Sequence, residues 1–330
     1  MHISYAQRLE DYHLDLVFSD LAQGVYVDIG GGHPVADNVS FHFYLRGWRG
    51  LVVEPQRNLA RGYASIRPRD RVVECLVGRE DGVVDFHQVE RLHGFSTMIE
   101  AHAAGAQAFG AGYRTEKRPV RRLSGLIERE GFSQIDFLKI DVEGAERAVL
   151  EGLDLARHRP RVICIEAVRP GDMAPSHAEW EDLLLGSGYQ FAFWDDLNRF
   201  YVADEASELA SRFPSAPAAW DSVKHLYEFG RVTDHPEHPD RLLADRLIRG
   251  FLARLPEFSP EFLRQLLESS AGPGGMERGP ELRALLRGQA PSPSRRQNVV
   301  PDEPLPLDDA ARAALGRIAA SYDGGLILDD

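Results

Sequence analysis

Lys139-Ile140-Asp141-Val142-Glu143-Gly144-Ala145-Glu146 gathers four ionisable side chains into eight residues, directly after the apolar run Ile135-Asp136-Phe137-Leu138. Side chains alternate along a strand, so Lys139, Asp141 and Glu143 are expected on one face and Ile140 and Val142 on the other. Glu166 ends a second apolar run, Val162-Ile163-Cys164-Ile165, and is expected at the same edge. Opposite charges in such a cluster hold each other ionised, and desolvation adds shifts that suit acid–base work. Lys139, Asp141, Glu143 and Glu166 are therefore the candidate catalytic residues. The carboxylates are candidate bases, with His33 and His93 behind them. Lys139 would keep a carboxylate ionised or orient a substrate; an ion pair that only locks the strand end serves equally well as an explanation. No local metal-ligand motif is present, although carboxylates such as Asp141 and Glu166 are the hard oxygen donors that Mg²⁺ takes.

Val25-Tyr26-Val27-Asp28-Ile29-Gly30-Gly31-Gly32 reads as a buried strand ending in a glycine turn. Gly30 and Gly32 let the backbone turn and approach a ligand closely. In an open α/β sheet, ligands sit at the carboxyl ends of the strands. A carboxylate at this strand end, Asp28, repels a pyrophosphate and favours a ligand carrying an ammonium or sulfonium charge. S-adenosylmethionine carries both and no phosphate. Leu51-Val52-Val53-Glu54-Pro55 is a second apolar run ending in an acid, placed where a carboxylate accepts the hydroxyls of a ribose. The plainer alternative is that Asp28 and Glu54 cap helices.

The chain has 330 residues, is 43% hydrophobic and carries a formal net charge of -13. That balance argues against non-specific binding to nucleic acid or an anionic membrane. No apolar run approaches the roughly 20 residues that span a bilayer. The start, Met1-His2-Ile3-Ser4-Tyr5, lacks a secretory pattern. The only cysteines, Cys75 and Cys164, sit in apolar runs and read as reduced core residues. A cytoplasmic location is expected.

The elements that must position these groups follow from periodicity. Residues 5–18 are expected as a helix, Pro34 as a helix opener, and Asn38 to Arg46 as a helix stopped by Gly47. Arg71 to Val77 reads as a third strand, with Val83 to Phe86 pairing back onto it in a hairpin. Residues 91–118 read as a long binding loop with one helix, and His93 and His102 as solvated within it. Leu123 to Arg129 is a helix, Ala145 to Leu150 starts another, and 177–186 is a third. Tyr189 to Trp194 and Asn198 to Val202 are antiparallel strands about the Asp195-Asp196 turn. Trp194 and Phe200 are expected in the core, and Arg199 in a pair with an acid of the strand edge. The result is an α/β fold with a mostly parallel, Rossmann-like sheet and a terminal antiparallel hairpin. That ending belongs to class I methyltransferase sheets rather than dehydrogenases. The first domain is placed at 1–205. Residues 206–330 are expected as a helical extension interrupted by proline and glycine, with eleven of the 20 prolines after residue 231. Its helices are Leu242 to Leu255, Glu261 to Leu267 and Ala310 to Ala320, with a break at Gly272-Pro273-Gly274-Gly275 and a linker at 290–307. Residues 240–270 would cover the substrate mouth or join copies into a homo-oligomer.

Asp28-Ile29-Gly30, Arg46-Gly47-Trp48-Arg49-Gly50 leading to Glu54-Pro55, and Ile135 through Glu146 together resemble the FkbM family of S-adenosylmethionine-dependent methyltransferases. The Lys-Ile-Asp-Val-Glu-Gly-Ala-Glu string is its most specific feature. Asp195-Asp196-Leu197-Asn198-Arg199-Phe200-Tyr201-Val202 is similar to the hairpin of a branch found with polysaccharide biosynthesis. The resemblance covers roughly residues 20–210. It implies O-methylation of a hydroxyl on a sugar, a glycan precursor or a related natural product. It also implies that Asp141 touches cofactor or substrate, and that Ser96, in the pair Ser96-Thr97, either does the same or simply turns the loop. Gly31-Gly32-His33-Pro34 departs from the Ala-Asn that many members carry there. Two other readings stand beside this one. A nicotinamide dehydrogenase is disfavoured because Val35 fills the third glycine position of the dinucleotide fingerprint. A non-catalytic docking module that kept the fold is the other.

Overall fold

The computed structural model describes residues 2–89, 93–105, 110–169, 171–217, 223–269 and 307–323. The Gly272–Gly275 break and the linker expected up to 306 lie outside them, as does the side chain of His93. Two compact units separate, one running to Asp240 and resuming at Asp309, the other within Arg241–Asp308.

The first unit opens with strand β1 (Ile3–Ser4) and helix α1 (Glu10–Val17). The helix starts later than the apolar spacing predicts, because Leu9 takes a left-handed φ of 63°. The Asp11 carboxylate accepts from Ser4 Oγ at 2.6 Å and Tyr5 N at 2.7 Å, folding residues 5–8 into a turn. Strand β2 (Val25–Ile29) follows, then helix α2 (Val39–Leu45), strand β3 (Arg49–Val53), helix α3 (Arg57–Ile66) and strand β4 (Arg71–Val73). Pro34 does not open a helix; α2 starts at Val39, where the Asn38 side chain accepts the Phe41 amide. Helix α3 corresponds to no element expected from the apolar spacing.

The expected third strand is two strands. β4 stays in the main sheet, while β5 (Leu76–Val77) turns into a separate sheet. There β6 (Gly82–Val89) pairs antiparallel with β7 (Tyr113–Arg121), and β5 pairs parallel with β7, so the expected hairpin with the third strand does not form. Between β6 and β7 the helix α4 (Glu100–Gly105) is the one expected in the long loop.

Helix α5 (Leu123–Arg129), strand β8 (Phe137–Ile140), helix α6 (Glu146–Glu151) and strand β9 (Val162–Glu166) match their apolar patterns closely. A 3₁₀ turn (His177–Glu179) and helix α7 (Glu181–Leu185) replace the single helix expected at 177–186. Strands β10 (Tyr189–Trp194) and β11 (Asn198–Ala203) pair antiparallel, as their turn signal predicts. The main sheet has seven strands in the order β10-β11-β9-β8-β2-β3-β4. β9, β8, β2, β3 and β4 run parallel, and β11 enters antiparallel beside β9. All residues of β8 and β9 are buried, as expected of parallel strands covered on both faces.

Strand β12 (Lys224–His225) pairs with β1. The second unit holds helices α8 (Arg241–Ala253) and α9 (Pro260–Ser269), and the chain returns to the first unit as α10 (Asp309–Asp323). No helix among the described residues is long and apolar enough to cross a membrane.

Candidate active site

The glycine turn after β2 is held from several sides. The Gly30 amide donates to the Val53 carbonyl at 2.9 Å, tying the turn to β3. Asn38 Nδ2 and Tyr63 Oη both donate to the Gly31 carbonyl, at 2.8 and 2.6 Å. Gly30 has a φ of 77°, and a β-carbon there would lie 1.8 Å from the Asp141 carbonyl oxygen. Only glycine lets these two loops pass so closely.

The loops open on a cavity of about 270 Å³. Of the residues singled out from the sequence, Gly30, Gly32, Glu54, Ser96, Asp141 and Glu143 line it. Leu76, Val77, Phe86 and Met98 make an apolar end. Glu54 is buried, and accepts the Gly32 amide at 2.8 Å and the Gln56 amide at 2.7 Å. Burial pushes its carboxyl up to about 7, against the pull of those two amides. Ser96 Oγ accepts the Val89 amide at 3.0 Å, which fixes the loop that faces Glu54.

Asp28 is not among the lining residues. Its carboxylate accepts from Ser40 Oγ at 2.5 Å, and Ser40 in turn receives Arg67 Nη2 at 2.8 Å. Arg67 is fully buried and paired with Asp70, and it also donates to Asn38. Burial raises the Asp28 carboxyl above its usual range, with Lys139 and Ser40 opposing. Asp28 thus braces the turn from behind.

Alternation along β8 does not extend as far as expected. The strand stops at Ile140, and Asp141 donates its amide to the Ile29 carbonyl at 3.0 Å. Beyond it Glu143 adopts a left-handed φ of 56° and Gly144 a φ of 99°. It is this turn, rather than the pleat, that brings Asp141 and Glu143 to the cavity wall. Thr97 Oγ1 donates to the Glu143 carbonyl at 2.9 Å, and His102 Nδ1 lies 3.0 Å from the same oxygen. His102 is therefore not a solvated loop residue; it is half-buried and supports the strained turn. Glu146 accepts the Gly144 amide at 3.0 Å and closes the same turn.

Lys139 and Glu166 stand behind the wall rather than on it. Lys139 is buried, with Nζ 2.7 Å from Asp141 Oδ2. Burial works against its charge, but Asp141 and the other acids around it outweigh that and hold the ammonium well above its ordinary pKa. Glu166 has its Oε2 buried without a hydrogen-bond partner among the described residues. Desolvation first, then the repulsion of Asp141, drives the carboxyls of Glu143 and Glu166 well above the usual range.

His33 lines the cavity, but its Nδ1 accepts the amides of Val35 and Ala36, which is a turn-closing role. Arg199 pairs with Glu181 of α7 at 2.8 Å, not with an acid of the strand edge. Asn198 Nδ2 instead reaches Glu10 at 2.8 Å, a link to α1 that no local pattern announces. Phe200 lies in the core and Trp194 packs against it.

The family model for the methyltransferase FkbM domain matches residues 28–191. A curated relative, the AMB antimetabolite synthetase AmbE of Pseudomonas aeruginosa, is 31% identical over 144 residues. The match covers 42% of this chain and 6% of that protein, so the chain spans a small part of the relative's length.

Proposed function

We propose that this chain, which belongs to the FkbM methyltransferase family through residues 28–191, is an S-adenosylmethionine-dependent O-methyltransferase. Its acceptor is a hydroxyl of a sugar, a glycan precursor or a related natural product. The observation that carries the reading is that Glu54 and Asp141 share one cavity wall with the Gly30 turn between their strands. That arrangement suits a ribose held by Glu54, an adenine against Leu76, Val77 and Phe86, and a cationic methionine end toward Asp141. The strand order, with β11 antiparallel between β9 and β10, supports a class I methyltransferase sheet. A relative named for antimetabolite synthesis favours an acceptor from small-molecule biosynthesis.

The reaction is an in-line displacement. The acceptor oxygen forms a bond to the methyl carbon, the carbon–sulfur bond breaks, and sulfur leaves with the electron pair as a neutral thioether. The hydroxyl proton departs toward the acidic edge of Asp141, Glu143 and Glu166. Positioning of the oxygen behind the methyl group supplies much of the rate. Lys139 acts through Asp141, fixing its orientation.

Calorimetric titration with S-adenosylmethionine and with NAD tests the reading. Binding of the first, weakened in Glu54→Gln, is the expected result. Binding of NAD alone would overturn it. Binding of the sulfonium compound with no transfer to any hydroxylated acceptor would instead favour a docking module.

A further inference from the structure

Asp141, Glu143 and Glu166 each bring one carboxylate oxygen to within 4.8 Å of the others. Lys139 engages one oxygen of Asp141, so the four side chains together carry two uncompensated negative charges when all are ionised. A cluster of acids alone would signify little, but Glu166 adds an independent feature. It is 8% exposed, and its Oε2 is buried with no hydrogen-bond partner among the described residues. A buried acceptor left unmatched costs free energy and calls for a bound water or ion.

The spacing fits a bound ion. Oxygens bound to one hard cation at about 2.1–2.5 Å lie no more than about 5 Å apart. The donors are all carboxylates, the ligands that Mg²⁺ and Mn²⁺ prefer over softer metals. One ligand, Glu143, sits on a left-handed backbone that Thr97 and His102 hold in place. Strain of that kind persists where surrounding contacts over-determine it, often at ligand sites. A divalent ion also matches the charge left over by Lys139.

From the unpartnered Glu166 oxygen and the convergence of three carboxylates, we propose that Asp141, Glu143 and Glu166 form a binding site for one hard divalent cation of the Mg²⁺ or Mn²⁺ type, at the acidic edge of the cavity. The ion would leave coordination positions open toward the cavity, where Asp141 and Glu143 are exposed to it. On the O-methyltransferase reading, the acceptor oxygen takes such a position, and the ion lowers its pKa so that the proton passes to solvent water before methyl transfer, the three carboxylates then serving as ligands rather than as the base. The cation site itself does not depend on that reading.

The test is a titration of the full chain with Mn²⁺, followed by electron paramagnetic resonance of the free ion, and run alongside binding of S-adenosylhomocysteine. One Mn²⁺ per chain, displaced by Mg²⁺, is expected. Glu166→Gln and Asp141→Asn should weaken it by more than about tenfold, and Glu237→Gln, at an exposed position, should not. Circular dichroism confirms folding, and Glu143→Gln replaces either variant that fails it. Equal Mn²⁺ affinity in wild type and Glu166→Gln overturns the site. Nucleoside binding without any stoichiometric Mn²⁺ also overturns it while leaving the methyltransferase reading intact. Mn²⁺ binding without nucleoside binding does the reverse.

Discussion

Lys139 Nζ lies 2.7 Å from Asp141 Oδ2, so one end of a buried strand holds both the cation and the carboxylate that faces the cavity. The side chain of Lys139 is 6% exposed and that of Asp141 23%. Removing the buried partner strands the other charge in a poorly solvated place. Lys139→Met is expected to cost about 3 kcal/mol, the low end for a buried pair because Asp141 keeps some solvent, read as a fall in melting temperature. It should also reduce turnover per folded molecule, because Asp141 loses its fixed orientation. Unchanged melting would show that the pair is relaxed by solvent. A loss of stability with full turnover would make the pair purely architectural.

Two glycines of one turn are expected to respond very differently. Gly30 and Gly32 both have positive φ, but a β-carbon at Gly30 meets the Asp141 carbonyl at 1.8 Å, while one at Gly32 meets nothing within 4 Å. Gly32→Ala should therefore cost only the left-handed penalty of about 1–2 kcal/mol. Gly30→Ala must push apart the β2 and β8 loops. Nucleoside binding should be lost in it even where the fold survives. Calorimetry on both variants checks this, and equal effects would refute the close approach.

The same contrast explains what could be read from the residues. β2, β3, β8 and β9 are mostly apolar runs with nearly every residue buried, and such runs announce themselves. β7 begins as Tyr113-Arg114-Thr115-Glu116-Lys117-Arg118 on a largely exposed sheet, so its polar sequence looked like loop. The break at Glu74-Cys75 depends on β5 finding β7 some forty residues later, which no local pattern encodes. In the site, Glu54 and Asp141 were legible because a carboxylate at a strand end is unusual. Asp28 shares that mark, but its partners Ser40 and Arg67 come from α2 and the residue after α3. The roles of Thr97 and His102 were hidden for the same reason, since both act on a backbone carbonyl more than forty residues away.

Helix α10 is tied to the first unit by a two-pronged pair. Arg317 donates to both oxygens of Asp240, at 2.8 and 2.6 Å, and Asp240 is buried. Periodicity alone places α10 in a separate tail, yet Gly316 packs within reach of Val35 and Ile66. Bidentate charged hydrogen bonds of this kind contribute about 1.5–3 kcal/mol. Arg317→Ala should lower the unfolding free energy by that amount, read as a lower denaturation midpoint at unchanged slope, and leave binding at the cavity unchanged. A midpoint equal to wild type would mean that α10 frays without consequence.

Glu54 links pH to both stability and binding. Its carboxyl moves from 4.5 when unfolded to about 7 when buried. The folded state therefore binds more protons between those values, and stability falls as pH rises through that window. The contribution is complete below about pH 4.5 and gone above about pH 7, and its size is at most about 3.4 kcal/mol. Glu54→Gln should flatten this slope in urea denaturation between pH 5 and 7.5, while losing one of the two amide contacts at every pH. Ligand binding has the opposite sign. Hydroxyls that donate to Glu54 favour its charged form, so affinity for S-adenosylmethionine should rise as pH passes 7, with a proton released on binding. Calorimetry in buffers of different ionisation enthalpy measures that proton directly. Uptake instead of release would mean that the ligand leaves Glu54 protonated and is held by other groups.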